Sequence, residues 1–436
     1  MTDSPKSLDI STRLERIAKL AKEIRGTSIK TLAHHIDMPW LLEAYRRTRK
    51  DGAVGIDRKT AKEYQQSLEG NLRDLLDRAK SGRYWAPPVR RVHIPKGDGT
   101  ETRPIGIPTF EDKVLQRAVA MVISEVYEQE FHDFSYGFRP GRSAHQALQK
   151  IQTAAFRMNG GWVVEVDIRK FFDTVDHAKI QECLRQRIGD SVLLRLIGKW
   201  LNAGVMEGKT LSYPDEGTPQ GGVISPLLAN IYLHEVFDEW FVRDVQPALR
   251  GRAVPVRYAD DFVVIFETKD DAERFLATLP KRFGKYGLSL HPEKTRLIWF
   301  RPPRVGYDKQ RGTFDFLGFT HYWGLARRGF WFVKQKTAKD RFTRSLRRIR
   351  EWCREHRHDP LETQHRALVR KVRGHDAYYG ITNNFFAISR FHQEVKRAWR
   401  KALKRRSQQN LTWEAMNRVL KRYPLPYPRI VHRYDA

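Results

Sequence analysis

Asp260 and Asp261 stand side by side in the run V-P-V-R-Y-A-D-D-F-V-V-I-F, between two β-prone apolar stretches. The pattern predicts one strand over 254–257, a bend at the acids and a second strand over 262–266. Two adjacent carboxylates repel each other at such a bend unless a cation joins them, and Mg²⁺, a hard oxygen-seeking ion, suits them. Carboxylates at a strand turn can hold two metals across the attacking and leaving oxygens of a phosphoryl transfer. The same pair can also serve an ordinary turn, where aspartates hydrogen-bond their own backbone. A metal pair needs a third carboxylate from another strand. Asp167 offers one at the acidic end of the apolar run 163–168, although an Asp there can equally cap the following helix.

The elements that must position these acids follow from periodicity. Leu14, Ile17, Leu20, Ala21 and Ile24 fall at helical spacing and predict helices over 9–50, interrupted by a loop at 52–57. Helical pattern resumes through Leu68, Leu72, Leu75 and Leu76. Residues 89–109 read as a basic hairpin turning at Gly97-Asp98-Gly99. A helix over 110–130, the strand at 163–168, helices within 177–202, a loop at 217–222 and a long helix over 226–242 lead to the acidic hairpin. Beyond it the pattern gives a helix over 270–285, strands at 288–290 and 297–300, and one aromatic strand over 314–319. From 336 onward it gives basic, aromatic helices and a Pro-rich tail at 423–428. Strands and helices mix without strict alternation, which predicts an α+β core sheet followed by an all-helical C-terminal unit.

The chain has 436 residues, 40% hydrophobic and 30% charged, enough for two or three packed units and too apolar for a disordered polymer. Its net charge of +29 predicts a polyanionic partner. Residues 334–436 carry 27 Lys and Arg against 9 Asp and Glu, a net of +18, so most of the positive field lies in the last quarter. The two cysteines, Cys183 and Cys353, form no C-x-x-C pair, which argues against a structural zinc site and a disulfide framework and suits a reducing cytoplasm. No export signal and no membrane span is predicted.

Several short blocks carry more. In order they are K-D-G-A-V-G-I-D at 50–57, R-P-I-G-I-P-T at 103–109, Y-G-F-R-P-G-R-S at 136–143 and D-I-R-K-F-F-D at 167–173. P-Q-G-G-V-I-S-P at 219–226, Y-A-D-D at 258–261, H-P-E-K-T at 291–295, F-L-G-F at 316–319 and G-H-D-A-Y-Y-G-I-T-N-N at 374–384 follow. Together, from about residue 40 to 433, they resemble the group II intron-encoded reverse transcriptases, or maturases. The chain stops at Ala436 without a cysteine and histidine cluster, so the resemblance is to compact, endonuclease-lacking members, which must find their primer elsewhere.

The resemblance implies a right-hand polymerase. Its parts would be a helical N-terminal extension (1–75), fingers (76–160), a ferredoxin-like palm with fingers insertions (161–333) and a basic helical thumb or maturase domain X (334–436). It implies two Mg²⁺ ions at Asp167, Ile168, Asp260 and Asp261, and dNTP substrates. Lys294 would protonate the pyrophosphate leaving group, or be a surface lysine. Lys96 and Arg103, on the two arms of the hairpin, would reach the incoming triphosphate, or be solvated charge. Gln220 and Gly221 would pack against the nucleotide, or form a plain turn before a helix. Phe172 would fill the space of a ribose 2′-hydroxyl, or be a core aromatic. Ala259 would line the nucleotide pocket and Tyr258 the primer end. Arg366, Arg370, Lys371, Arg373, Lys396, Arg397, Arg400, Lys401, Lys404 and Arg405 would bind RNA, whereas Tyr378 and Tyr379 suit RNA contact or helix packing. The implied partners are the group II intron RNA, an RNA template with a DNA primer, and a target DNA. Rival readings are a host-adopted reverse transcriptase in repair or antiphage defence, a non-catalytic splicing cofactor, and an RNA-dependent RNA polymerase.

Overall fold

The computed structural model describes residues 5–96, 101–208, 210–213, 217, 221–303, 312–326, 328–406 and 411–434. The chain forms two compact units, one of Met1–Ala147 with Val164–Leu297 and one of Leu148–Val163 with Ile298–Ala436. The strands in chain order are β1 (Val89–Lys96), β2 (Glu101–Ile107), β3 (Gly161–Val166), β4 (Val205–Glu207), β5 (Thr210–Ser212), β6 (Ala253–Tyr258), β7 (Asp261–Phe266), β8 (Arg296–Phe300), β9 (Phe314–Phe316), β10 (Phe319–Leu325) and β11 (Trp331–Thr337). Helices separate most of them, and the class is α+β, as the sequence predicts. Among the described residues no helix is long and apolar enough to cross a membrane.

In the first unit the N-terminal helices Pro5–Glu23 and Met38–Arg47 pack on the helix Phe110–Tyr127. Ile17, Ala21, Trp40 and Leu41 are fully buried there, and the Trp40 indole donates to the Ala118 carbonyl at 2.9 Å. Asp37 starts the second of these helices by accepting from the Trp40 amide, and Thr109 starts the Phe110–Tyr127 helix by accepting from the Asp112 amide. The basic hairpin pairs β1 with β2 from Arg90↔Ile107 to Lys96↔Glu101. Its expected turn, Gly97-Asp98-Gly99, lies outside the described residues. The pattern did not show β4 and β5, which extend this sheet to the order β2-β1-β4-β5. The acidic hairpin pairs β6 with β7 from Ala253↔Phe266 to Tyr258↔Asp261. Phe262 to Phe266 are buried all along β7, which is why that strand reads as a continuous apolar run. The expected strand at 288–290 is reduced to one bridge, Ile168↔Leu290. The long helix predicted over 226–242 is α-helical over Ser225–Leu233, then π-helical over His234–Glu239 and Phe241–Val245.

In the second unit β9, β10 and β11 form a sheet of order β11-β10-β9. This corrects the single aromatic strand expected over 314–319. Leu317 (φ +50°) and Gly318 (φ +79°) are both left-handed and make a two-residue turn, so Phe316 pairs with Phe319. It also moves the helical start, because β11 runs to Thr337 and the first helix is Lys339–Glu355. Three further helices follow: Leu361–Tyr379, Phe385–Lys404 and Trp413–Arg422. Leu346, Ile349, Leu368, Val372, Phe391, Val395, Trp399 and Met416 form their shared core, and the Trp399 indole donates to Gln364 Oε1 at 2.9 Å.

His321 on β10 gives this unit a pH dependence. Its ring is fully buried and stacks on Phe314 at 4.6 Å, and burial drops its pKa from 6.5 to about 3. The unfolded chain takes up a proton below pH 6.5 that the folded chain refuses until about pH 3. Stability present above pH 6.5 is therefore lost as the pH falls. Between pH 6.5 and 5 that loss amounts to about 2 kcal/mol. Urea melts at the two pH values read it, and His321→Gln is expected to flatten the dependence.

Candidate active site

β6 and β7 pair as Arg257↔Phe262 and Tyr258↔Asp261, which leaves Ala259 and Asp260 as the two residues of the turn. Ala259 is buried and left-handed at φ +56°, a conformation that a non-glycine residue holds only when its surroundings enforce it. The enforcement comes from two sides. The segment 134–137 runs along β6, with Arg257 N donating to Phe134 O and Tyr136 N to Arg257 O, both at 2.8 Å. A side chain on Gly137 would collide with the Ala259 amide, so the Y-G-F block needs its glycine. From beneath, Arg257 is fully buried and forms a two-pronged ion pair with Asp238 of the π-helical turn, Nε to Oδ1 at 2.7 Å. The same guanidinium donates to Asn230 Oδ1 at 3.1 Å and to the Ala259 carbonyl at 3.2 Å, and Asn230 donates to Gly137 O at 2.6 Å. Burial pushes the Asp238 carboxyl up, but Arg257 and His234 together outweigh it and hold it below the ordinary value.

Asp167 follows β3 directly. Its carbonyl accepts from His291 N at 2.8 Å, its amide donates to Thr295 Oγ1 at 3.4 Å, and Arg169 N donates to Ser289 O at 2.8 Å. These bonds clip the H-P-E-K-T loop to the acid and set Lys294 Nζ 2.9 Å from Asp167 Oδ2. Ile168 is buried beside Leu290. Asp260 lies within electrostatic reach of Asp167. Burial first, and then the Asp167 charge, raise its pKa, while a backbone hydrogen bond, Arg103 and Arg257 pull it down. Asp261 opens β7 and is exposed. Two carboxylates that repel each other, with a third next in sequence, make an all-oxygen donor set that suits a hard cation.

Arg103 is exposed on β2 opposite Ile94, and Lys96 ends β1. Gly221 (φ +120°) lies against β2: a Cβ there would come within 2.6 Å of Gly106 O and 2.8 Å of Ile105 Cγ2. Phe171 is buried, while Phe172 is only half-buried, its ring 5.3 Å from that of Phe171. Gln220 lies outside the described residues.

On the second unit, Arg366, Arg370, Lys371 and Arg373 are exposed on the helix Leu361–Tyr379, and Arg397, Lys401 and Lys404 on Phe385–Lys404, with Arg405 just beyond. Lys396 and Arg400 are half-buried, and Arg400 lies 4.5 Å over the Trp413 ring. A cleft of about 620 Å³ is lined by Arg397, Lys401 and Arg405 together with Arg347, Arg350 and Arg354 of the helix Lys339–Glu355. Those last arginines stand outside the G-H-D-A-Y-Y block, so that block alone does not mark them. Tyr378 donates to Leu317 O at 2.8 Å and Tyr379 packs 5.3 Å from Phe319, so both tyrosines have packing roles. Nor does any block mark Arg257, Asp238 and Asn230 as a group. A buried arginine in an apolar strand with an acid elsewhere to meet it was the available signal.

The sequence profile of the family described as Reverse transcriptase (RNA-dependent DNA polymerase) matches residues 94–321. Protein YkfC of Escherichia coli (strain K12) is 36% identical over 324 residues, which cover 66% of this chain and 84% of that protein. Group II intron-encoded protein LtrA of Lactococcus lactis subsp. cremoris is 44% identical over 170 residues, 38% of this chain and 28% of that protein. An uncharacterized 91 kDa protein in the cob intron of Schizosaccharomyces pombe is 26% identical over 88% of this chain and 55% of its own length. The matched region thus spans most of the first relative and well under two thirds of the other two.

Proposed function

The chain belongs to the reverse transcriptase (RNA-dependent DNA polymerase) family, in the company of group II intron-encoded proteins, and from that premise we propose how its residues copy RNA into DNA. The observation that carries the proposal is the acidic turn: Asp260 is locked into a two-residue hairpin and coupled to Asp167 at the end of β3. Asp167, Asp260, Asp261 and the backbone at Ile168 would hold two Mg²⁺ ions, and the mutual repulsion of the acids supports a cation there. When bound, Mg²⁺ supplies the Lewis acidity that activates the primer 3′-hydroxyl and neutralises the triphosphate. Lys96 and Arg103 bind the triphosphate oxygens, and Gly221 lets the backbone approach the nucleotide. Lys294 pairs with Asp167 at 2.9 Å before substrate arrives, and would turn to the pyrophosphate and give it a proton. Tyr258 meets the primer end and Ala259 the nucleotide.

In this reading residues 1–75 are the N-terminal extension, 76–160 the fingers, 161–333 the palm and 334–436 the thumb. The basic helices of the thumb grip group II intron RNA, assist its splicing, and hold template and primer for insertion into target DNA. The two free, buried cysteines suit work in the cytoplasm. The intron-encoded relatives favour this reading over a host-adopted enzyme, and the intact acids favour it over a non-catalytic splicing cofactor.

Primer extension on an RNA template tests the chemistry: chelation is expected to abolish it and Mg²⁺ to restore it. Sequencing the RNA that purifies with the protein from its cell tests the partner. One structured RNA enclosing this reading frame is expected, and an unrelated RNA would move the biology to a host-adopted enzyme.

Phe172 tests substrate choice. If its half-buried ring occupies the space of a 2′-hydroxyl, Phe172→Ala is expected to raise ribonucleotide incorporation relative to dNTP by about 10- to 100-fold, the range that shape alone gives in an apolar pocket. An unchanged ratio would show that the ring only packs on Phe171.

A further inference from the structure

Behind the acidic turn, on the first unit, His132, His234 and Glu239 bring one ligand atom each to within 4.8 Å of one another. The polymerase chemistry uses none of them. His132 Nε2 lies 2.8 Å from Glu239 Oε1, and His234 Nε2 lies 3.5 Å from the same oxygen. In a tetrahedral zinc site with bonds near 2.0–2.1 Å the ligand atoms stand about 3.3 Å apart, so these two separations bracket the required value.

The surroundings fit a metal as closely as the three atoms do. His234 and Glu239 are five residues apart, and they face the same way only because that stretch is π-helical. His234 is buried, and its Nδ1 faces Asp238 Oδ2 at 3.5 Å. A carboxylate behind the far nitrogen is the usual orienting partner of a metal-bound imidazole, and here it leaves Nε2 to point at Glu239. Arg243 Nη2 binds Glu239 Oε2 at 2.6 Å, which fixes the carboxylate and leaves Oε1 toward the two rings. Phe131 and Phe134 wall the cluster, and His132 is 28% exposed, which gives an ion its way in and a fourth position for water.

We infer that His132, His234 and Glu239 form a binding site for an imidazole-preferring divalent transition metal, Zn²⁺ first among them. Two nitrogens and one carboxylate oxygen select such an ion over Mg²⁺, which demands oxygen ligands. The absence of a C-x-x-C pair speaks against a cysteine zinc site and leaves a histidine site open. The metal would tie the π-helical turn to the loop after the helix Phe110–Tyr127. Asp238 of that same turn holds Arg257, so the ion would stiffen the support on which the Ala259–Asp260 turn rests.

The test uses the full chain, purified without a histidine tag and stripped with a chelator. Zn²⁺ is titrated against a chromogenic competitor in excess Mg²⁺, which occupies the oxygen site at Asp167 and Asp260. One equivalent of Zn²⁺ is expected to bind. His132→Ala is expected to weaken it by about 100-fold, and Asp260→Asn to leave it unchanged. Absence of stoichiometric binding, or binding that His132→Ala does not weaken, overturns the site. Should His132→Ala fail to fold, Co²⁺ in the unaltered protein decides: an intense four-coordinate spectrum supports the site, and a weak octahedral one overturns it.

Discussion

Asp260→Asn is expected to abolish RNA-templated extension and, in the same protein freed of metal, to raise thermal stability. The two effects have one cause. Asp260 sits in an enforced turn where burial and the Asp167 charge disfavour its ionised form. A carboxyl whose folded pKa is raised contributes stability that is complete below its unfolded value of 3.8 and is lost as the pH rises through the folded value. At pH 7 the ionised acid therefore weighs against the metal-free fold, and an isosteric neutral amide removes that weight. The same amide withholds a charge that a bound cation needs. Charge stabilisation by a metal is worth several kcal/mol, so the loss in rate should reach about 10³-fold or more. Single-turnover primer extension and melting curves from pH 5 to 8 read the two effects separately. Extension within about tenfold of the unaltered protein would end the assignment of Asp260. A lower melting temperature in the absence of metal would show that the acid is held by partners rather than strained by its neighbours.

What the sequence shows of this site is its local part. The runs on either side of Asp260 are β-prone and uniformly apolar, so the hairpin and its acids can be read directly, and the block order carries the fold. What the sequence hides is set by contacts across long stretches of chain. Arg257 reads as one more strand residue in V-P-V-R, and only Asp238 and Asn230, 19 and 27 residues away, explain its burial. Lys294 comes to Asp167 because the backbone of Ser289 and His291 and the Thr295 hydroxyl are clipped to the backbone of 167–169, which no periodicity predicts. The strand read over 314–319 is two strands because Leu317 adopts a left-handed φ that leucine does not advertise. The facing of His234 and Glu239 depends on a π-helical turn, and a helical wheel of ordinary pitch puts them on different faces.

Asp238→Asn is expected to destabilise the first unit by about 3–5 kcal/mol, because it leaves the Arg257 charge buried without its partner. An unfolded variant says nothing about function, so the informative protein is the double variant Asp238→Leu with Arg257→Met. Two apolar side chains of similar volume remove both charges, and such replacements are often neutral or stabilising. Urea melts should therefore show most of the lost stability restored. Polymerisation should not return with it. The guanidinium also holds the carbonyl of Ala259, at 3.2 Å, and methionine offers no donor. Ala259 then has less to keep it at φ +56°, and Asp260, the next residue, moves with it. A displacement near 1 Å at a reacting centre costs about 100-fold in rate. The split between recovered stability and unrecovered rate separates a positioning role from a structural one. If activity returns in step with stability, the buried pair serves the fold alone, and the turn is held well enough by Gly137 and the strands on either side.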